Sequence, residues 1–269
     1  MRSKARHRLP SSISTLIILI LITGCSEQLA KSHFTRGEVY WRRGDSYSAI
    51  KELKTALKYN PSDGLKDKIL ILISTVASGQ IRDSQTAIWA NEERLKVAIY
   101  DNAKFDIYLR VAEIYESHLK RHEKAIDTYH KILELFPQHK KEPDIRLKIA
   151  ENYINMEKYE KAKQEINFIL SSFSRSPIMP RTLYQMGNIL YLQEDYSRAL
   201  KYFGEVIKKY PGDETTVFAR FGMGNCLEEE DKLKEAISIY KLIKQQYPNQ
   251  PIITHRIARL EKRVKRRGR

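Results

Sequence analysis

Alanines recur along this chain at a nearly fixed interval. Ala49, Ala87, Ala125, Ala162, Ala199 and Ala236 stand 38, 38, 37, 37 and 37 residues apart. Around each except Ala87 the apolar pattern repeats. A large residue lies four positions on (Leu53, Tyr129, Ile166, Phe203, Tyr240), so it shares a helix face with the alanine. A small residue lies twelve or thirteen positions before (Gly37, Ala112, Ala150, Gly187, Gly224), which lets a preceding helix approach closely. Pro61, Pro137, Pro211 and Pro248 follow twelve after, where the missing N–H ends a helix. Turn residues stand between the paired helices: Arg43-Gly44-Asp45, Asn155-Met156-Glu157, Gln193-Glu194-Asp195 and Glu230-Asp231-Lys232. The pattern predicts an all-α chain, an α-solenoid of about six helix hairpins, five clear and one degenerate. The degenerate unit, 64–104, keeps Ala87 and an unusually apolar Ile69-Leu70-Ile71-Leu72-Ile73, and reads as a degenerate repeat with long helices or, alternatively, as a break that divides 30–63 from 105–250. Ile253, Ile257, Leu260 and Val264 then recur at helical spacing. They predict a C-terminal helix over 251–269 that caps the array.

These positions resemble the tetratricopeptide repeat over residues 30–250, with units at 30–63, 64–104, 105–140, 143–177, 180–214 and 217–250. The period exceeds the family norm of about 34 residues. The extra residues are expected in turns or helix ends between units. The resemblance implies that first helices line a concave groove for peptides or partner proteins. By position relative to the small residue, the groove candidates are Phe34, Glu38 and Trp41; Arg181, Tyr184, Asn188 and Tyr191; and Phe218, Phe221, Asn225 and Glu228. Gly187-Asn188 and Gly224-Asn225 resemble the Gly-Asn pairs of members that clamp a peptide carboxylate. Tyr184 and Phe221 stand where those members carry a basic residue.

The N-terminus carries a different signal. Arg2, Lys4, Arg6 and Arg8 precede an apolar run from Ile13 to Ile22, shorter than a spanning helix of roughly 20 residues. Leu21-Ile22-Thr23-Gly24-Cys25 resembles the bacterial lipobox. It implies a signal peptide over 1–24, an acylated Cys25 (palmitate or a similar chain) and a short lipidated linker, 25–29. Ser26 follows Cys25, and no Asp stands there to signal inner-membrane retention, so the resemblance favours the outer membrane.

The chain's formal charge of +15 invites a nucleic-acid reading, and its distribution removes that reading. Four positive charges belong to the signal segment, and residues 255–269 hold a net +7, leaving +4 on the body between. The basic tail is Arg256, Arg259, Lys262, Arg263, Lys265, Arg266 and Arg267. It is a candidate contact for anionic lipid or wall polymer.

Catalytic chemistry is not legible. No HExxH, paired CxxC or glycine-rich phosphate loop occurs, and two cysteines cannot build a disulfide framework. His118 and His122 have a metal-ligand spacing, yet no third ligand accompanies them, and His122 is expected in a turn. Cys226 falls on an inward face and reads as a buried thiol. Glu92-Glu93 and Glu228-Glu229-Glu230 read as solvated faces. The expectation is a non-catalytic protein-interaction scaffold with no cofactor, metal or nucleic acid. It would be lipid-anchored at the periplasmic face of the outer membrane and bind envelope proteins. The lipobox plus repeats is similar to the repeat lipoprotein of outer-membrane barrel assembly. Alternatives are a pilus-secretin assembly lipoprotein or a cell-wall polysaccharide binder using the basic tail.

Overall fold

A computed structural model describes the backbone of residues 11–267 and the side chains of residues 25–267. The basic leader and the apolar run of the expected signal segment lie outside the described side chains. Among the described residues there are thirteen α-helices and no strand. Among them, too, no helix is long and apolar enough to cross a membrane.

The helices pair in sequence. Helix α1 (Ser11–Arg42) packs on α2 (Ser46–Leu57), and α3 (Asp63–Val76) on α4 (Ser84–Leu95). Then follow α5 (Asp101–Glu113), α6 (His122–Leu135), α7 (Glu142–Asn155) and α8 (Tyr159–Ser172). Next come α9 (Met179–Leu192), α10 (Tyr196–Lys209), α11 (Thr215–Glu229), α12 (Leu233–Ile243) and α13 (Gln250–Arg267). They form two compact units, Met1–Thr128 and Tyr129–Arg269.

The alanine ladder is the close-packing point of each hairpin, and all six alanines are fully buried. In the C-terminal unit the large residue seats against glycine on the partner helix. A Cβ on Gly187 would stand 2.7 Å from Phe203, and one on Gly224 would stand 2.6 Å from Tyr240. Phe203 also reaches the next hairpin, where a Cβ on Gly222 would lie 2.6 Å from its ring. In the N-terminal unit Leu53 meets Gly37 in the same way, at 2.8 Å.

The degenerate unit keeps this contact in polar form. Ser74 and Asn91 occupy the small and large positions around Ala87. Both are buried, and Asn91 Nδ2 donates to Ser74 Oγ at 2.7 Å and to the Ala87 carbonyl at 2.8 Å. Its first helix is long, because α3 continues without a break through a π-helical turn at Ala77–Ile81, whereas α4 is of ordinary length; α3 packs on α2.

Each hairpin turns on one residue with positive φ: Gly44, Arg82, Lys120, Glu157, Glu194 and Asp231, always five before the alanine. In four turns the next amide closes a five-residue span back to the first helix: Asp45 to Tyr40, Lys158 to Tyr153, Asp195 to Leu190 and Lys232 to Leu227. The other two reach one residue further, Asp83 to Ala77 and Arg121 to Tyr115. These follow π-helical turns at Ala77–Ile81 and Ile114–His118. The π-turns fall within the two 38-residue intervals, so the extra residue is absorbed by widening one helical turn. The remaining extra length lies in the connectors between hairpins, such as 173–178 and 210–214. Turns within hairpins stay short, and His122 is not in one, because it opens α6.

Five of the six turn residues pay the left-handed penalty of an L side chain, about 1–2 kcal/mol. Glu194→Gly should therefore raise stability by about 0.5–1 kcal/mol after glycine's own entropy is counted. Urea denaturation of the two proteins measures this; an unchanged or lower midpoint contradicts it.

Candidate partner-binding groove

The C-terminal unit stacks α7, α9 and α11 as successive first helices. Each turns one stripe of partly exposed side chains to the same side: Glu151 on α7, Arg181, Tyr184, Gln185, Asn188 and Tyr191 on α9, and Phe218, Phe221, Asn225 and Glu228 on α11. The sequence candidates of these two hairpins therefore share one surface. Glu151 and Gln185 belong to it and were not singled out, because a lone polar residue on a helix carries no positional signal.

Cross-helix hydrogen bonds order the stripe. Glu151 Oε1 accepts from Gln185 Nε2 at 3.0 Å and pairs with Arg181 at 2.6 Å. Asn188 lies beside Gln185 at 3.5 Å. Below them the aromatics form a ladder. Tyr184 lies 5.8 Å from Phe203 and 6.4 Å from Phe218, and Phe218 lies 5.9 Å from Tyr247. Tyr247 in turn stacks on Phe221 at 4.8 Å. Burial raises the Tyr184 and Tyr247 hydroxyl pKa values above the ordinary tyrosine value. Phe218 and Phe221 thus form the groove floor and bind hairpin to hairpin, while Arg181, Asn188 and Tyr191 stand at the rim. Tyr191 meets Tyr196 at 5.7 Å.

The C-terminal end of the groove is already occupied. Ile253, Ile257 and Leu260 of α13 are buried against Leu233, Ala236, Tyr240 and Ile243, with Val264 alongside. This seats the adjoining arginines on α11. Arg256 donates to Asn225 Oδ1, which also accepts the Tyr240 hydroxyl at 2.7 Å. Glu228, its side chain only 10% exposed, takes Arg259, with Arg263 at 3.5 Å and Arg256 at 3.8 Å. Arg267 and Arg263 pair with Asp231, and Lys241 with Glu261 at 2.7 Å. The tail is therefore not a free basic segment. Arg256, Arg259, Arg263 and Arg267 hold the cap in place, because the apolar stripe turns that face toward Glu228 and Asp231. Among the described residues no carboxylate pairs with Lys262, Lys265 or Arg266, which are exposed. Asn225 and Glu228 belong to the cap rather than to an open groove, and Glu228 is not a solvated face.

In the N-terminal unit, Phe34 and Trp41 pack against the core containing Leu53, Ile69 and Ile73, and Glu38 stays partly exposed. Cys25 is exposed. Cys226 is fully buried, and burial pushes its thiol up to about 12. Only the thiolate is nucleophilic. Cys226 should stay unlabelled by a thiol reagent at pH 8 until the chain is unfolded; rapid labelling of the native protein contradicts that placement. Among the described residues no three His, Cys, Asp or Glu side chains converge as metal ligands.

Comparison with known proteins matches this geometry. Models of the tetratricopeptide repeat match residues 30–63, 106–139, 180–213 and 218–249. A search of curated proteins finds no match. Among solved structures, a tetratricopeptide repeat protein from Parabacteroides merdae superposes with a TM-score of 0.53 at 18% identity, over 87% of this chain and 99% of its own. The apo quorum sensor NprR from B. thuringiensis gives 0.59 at 18% identity, over 87% of this chain and 69% of its own. PilW, a type IV pilus biogenesis factor, gives 0.54 at 13% identity, over 82% and 95%. Likeness at such identities is a likeness of fold.

Proposed function

Because the chain is a tetratricopeptide-repeat protein, we propose that it is a non-catalytic scaffold that binds envelope proteins in the groove of its C-terminal unit. Acyl chains on Cys25 hold it at the periplasmic face of an outer membrane. The observation that carries the groove is the single stripe across α7, α9 and α11. It has an aromatic floor, a polar rim and one end closed by α13. An extended peptide or a partner helix suits such a surface. The ladder offers large apolar area at low entropic cost, and the amides of Asn188 and Gln185 can meet a peptide backbone.

The anchor is supported by the sequence around Cys25 and by the exposure of that residue. Each acyl CH₂ buried in a bilayer contributes about 0.8 kcal/mol, so several chains retain a folded domain. Ser26 supports the outer membrane, and assembly of an envelope complex such as a barrel-assembly machine is the role we assign. Cys25→Ser should accumulate as unprocessed, unacylated precursor that fatty-acid labelling does not detect. Normal maturation with membrane retention in that variant removes the anchor from the account.

A further inference from the structure

The two π-turns of the N-terminal unit face a common cavity. It has a volume of about 490 Å³ and is lined by Ser78, Gly79, Arg82, Ser84, Ser117 and His118. Ser78 and Gly79 come from one widened turn, and Ser117 and His118 from the other. Both departures from the 37-residue interval therefore open onto one place. Gly79 leaves it unobstructed, since a Cβ there would meet no atom within 4 Å.

The lining is rich in donors. It offers a guanidinium, an imidazole and the hydroxyls of Ser84 and Ser117, and no carboxylate; the Ser78 hydroxyl is already committed to the Ser74 carbonyl at 2.7 Å. Arg110 extends the cationic set from beneath, donating to Ser78 Oγ at 3.0 Å, with Glu113 at 3.7 Å on its other side. The surrounding edge carries the same sign. Arg42, Arg43, Arg82, Lys120 and Arg121 are exposed, and among the described residues none of them is ion-paired. Ser46 donates to Gln80, which ties the first turn to the second along this edge. Of the acids in these turns, Asp45 and Asp83 accept the Ser48 and Thr86 amides as helix caps, and Glu116, within the second π-turn, and Glu123 flank His118 in sequence.

We propose that this cavity is a binding site for a phosphate group. Arg82 would supply charge, and the His118 ring, Ser84 and Ser117 would supply further donors. A tetrahedral oxyanion presents acceptors in several directions, as these donors require. Charge-assisted hydrogen bonds from a guanidinium are the strong ones for such a group. The site is independent of the groove and of the anchor. It adds a basic surface at the turn edge of the N-terminal unit to the solvated Lys262, Lys265 and Arg266 of the tail.

The left-handed backbone at Arg82 supplies a variant that spares the fold. At φ 58° glycine is favoured, so Arg82→Gly removes the guanidinium without straining the turn. Inorganic phosphate is titrated into the full chain against chloride at equal ionic strength, and the His118 ring signals are followed by NMR. The expected result is a saturable shift at His118, weakened roughly tenfold or more in Arg82→Gly. It should be unchanged in Glu194→Gly, the same substitution at the matching turn of the other unit. Vesicles containing phosphatidic acid form the second arm. Arg82-dependent binding there assigns the phosphate to a lipid headgroup, and a response to inorganic phosphate alone assigns a soluble ligand. No saturable shift at His118 together with no Arg82-dependent vesicle binding overturns the site. So does a response that Arg82→Gly leaves intact.

Discussion

Phe203→Ala is expected to cost about 3–5 kcal/mol, the range for removing a large buried aromatic. Its ring is 1% exposed and lies between two helices whose glycines leave room for it. Truncation would leave a void bordered by Gly187 on one side and Gly222 on the other, with no side chain at those two positions to fill it. Loss on this scale lowers the melting temperature of a unit this size by about 10 °C. The converse substitution tests the same contact. Gly222→Ala places a Cβ within 3 Å of the ring, and overpacking of that kind costs about 1–3 kcal/mol. A Phe203→Ala protein with an unchanged melting curve would show that the hairpins are not held by this contact.

Removal of α13 is expected to do comparable damage. Deleting residues 250–269 uncovers Tyr240 and Ile243, which are fully buried, and strips Glu228 of its three arginines. Repeat arrays need a covered end, so the truncated chain should melt at least 10 °C lower or aggregate. By contrast, replacing Lys262, Lys265 and Arg266 together with glutamine should change stability by less than about 0.5 kcal/mol, since they are solvated. Thermal unfolding of both variants separates a cap from a free polycationic tail. A stable truncation would restore the latter reading.

The hairpins were legible because close packing repeats its demands. Each unit needs a small residue opposite a large one, and Gly187 with Phe203 or Gly224 with Tyr240 show it plainly. The second hairpin hid because its pair is Ser74 with Asn91, the same contact satisfied by a hydrogen bond in place of apolar volume. The π-turns were visible only as a one-residue excess in two intervals. The excess could be placed in a helix only once the longer turn closures at Asp83 and Arg121 were seen.

The candidate groove was half legible. Helical spacing put Arg181, Tyr184, Asn188 and Tyr191 on one face, and they do share it. It could not show that Phe218 and Phe221 pack under Tyr247, which arrives from the next connector. Nor could it show that Asn225 and Glu228 are taken by arginines some thirty residues away. Arg256, Arg259, Arg263 and Arg267 recur at helical spacing on faces beside the Ile253–Val264 stripe, and in the sequence they read as a free basic tail. Long-range charge pairing of this kind leaves no mark within the window of one helix.

Binding of a protein partner by the stripe across α7, α9 and α11 can be read in the living cell. Site-specific photocrosslinking in the native cell tests it most directly. One probe stands at Asn188 in the groove, and one at Lys201, exposed on the second helix of the same hairpin. A discrete crosslinked envelope protein is expected from position 188, identifiable by mass spectrometry, and little or none from position 201. A partner captured from position 201 and absent from position 188 would contradict binding by the stripe.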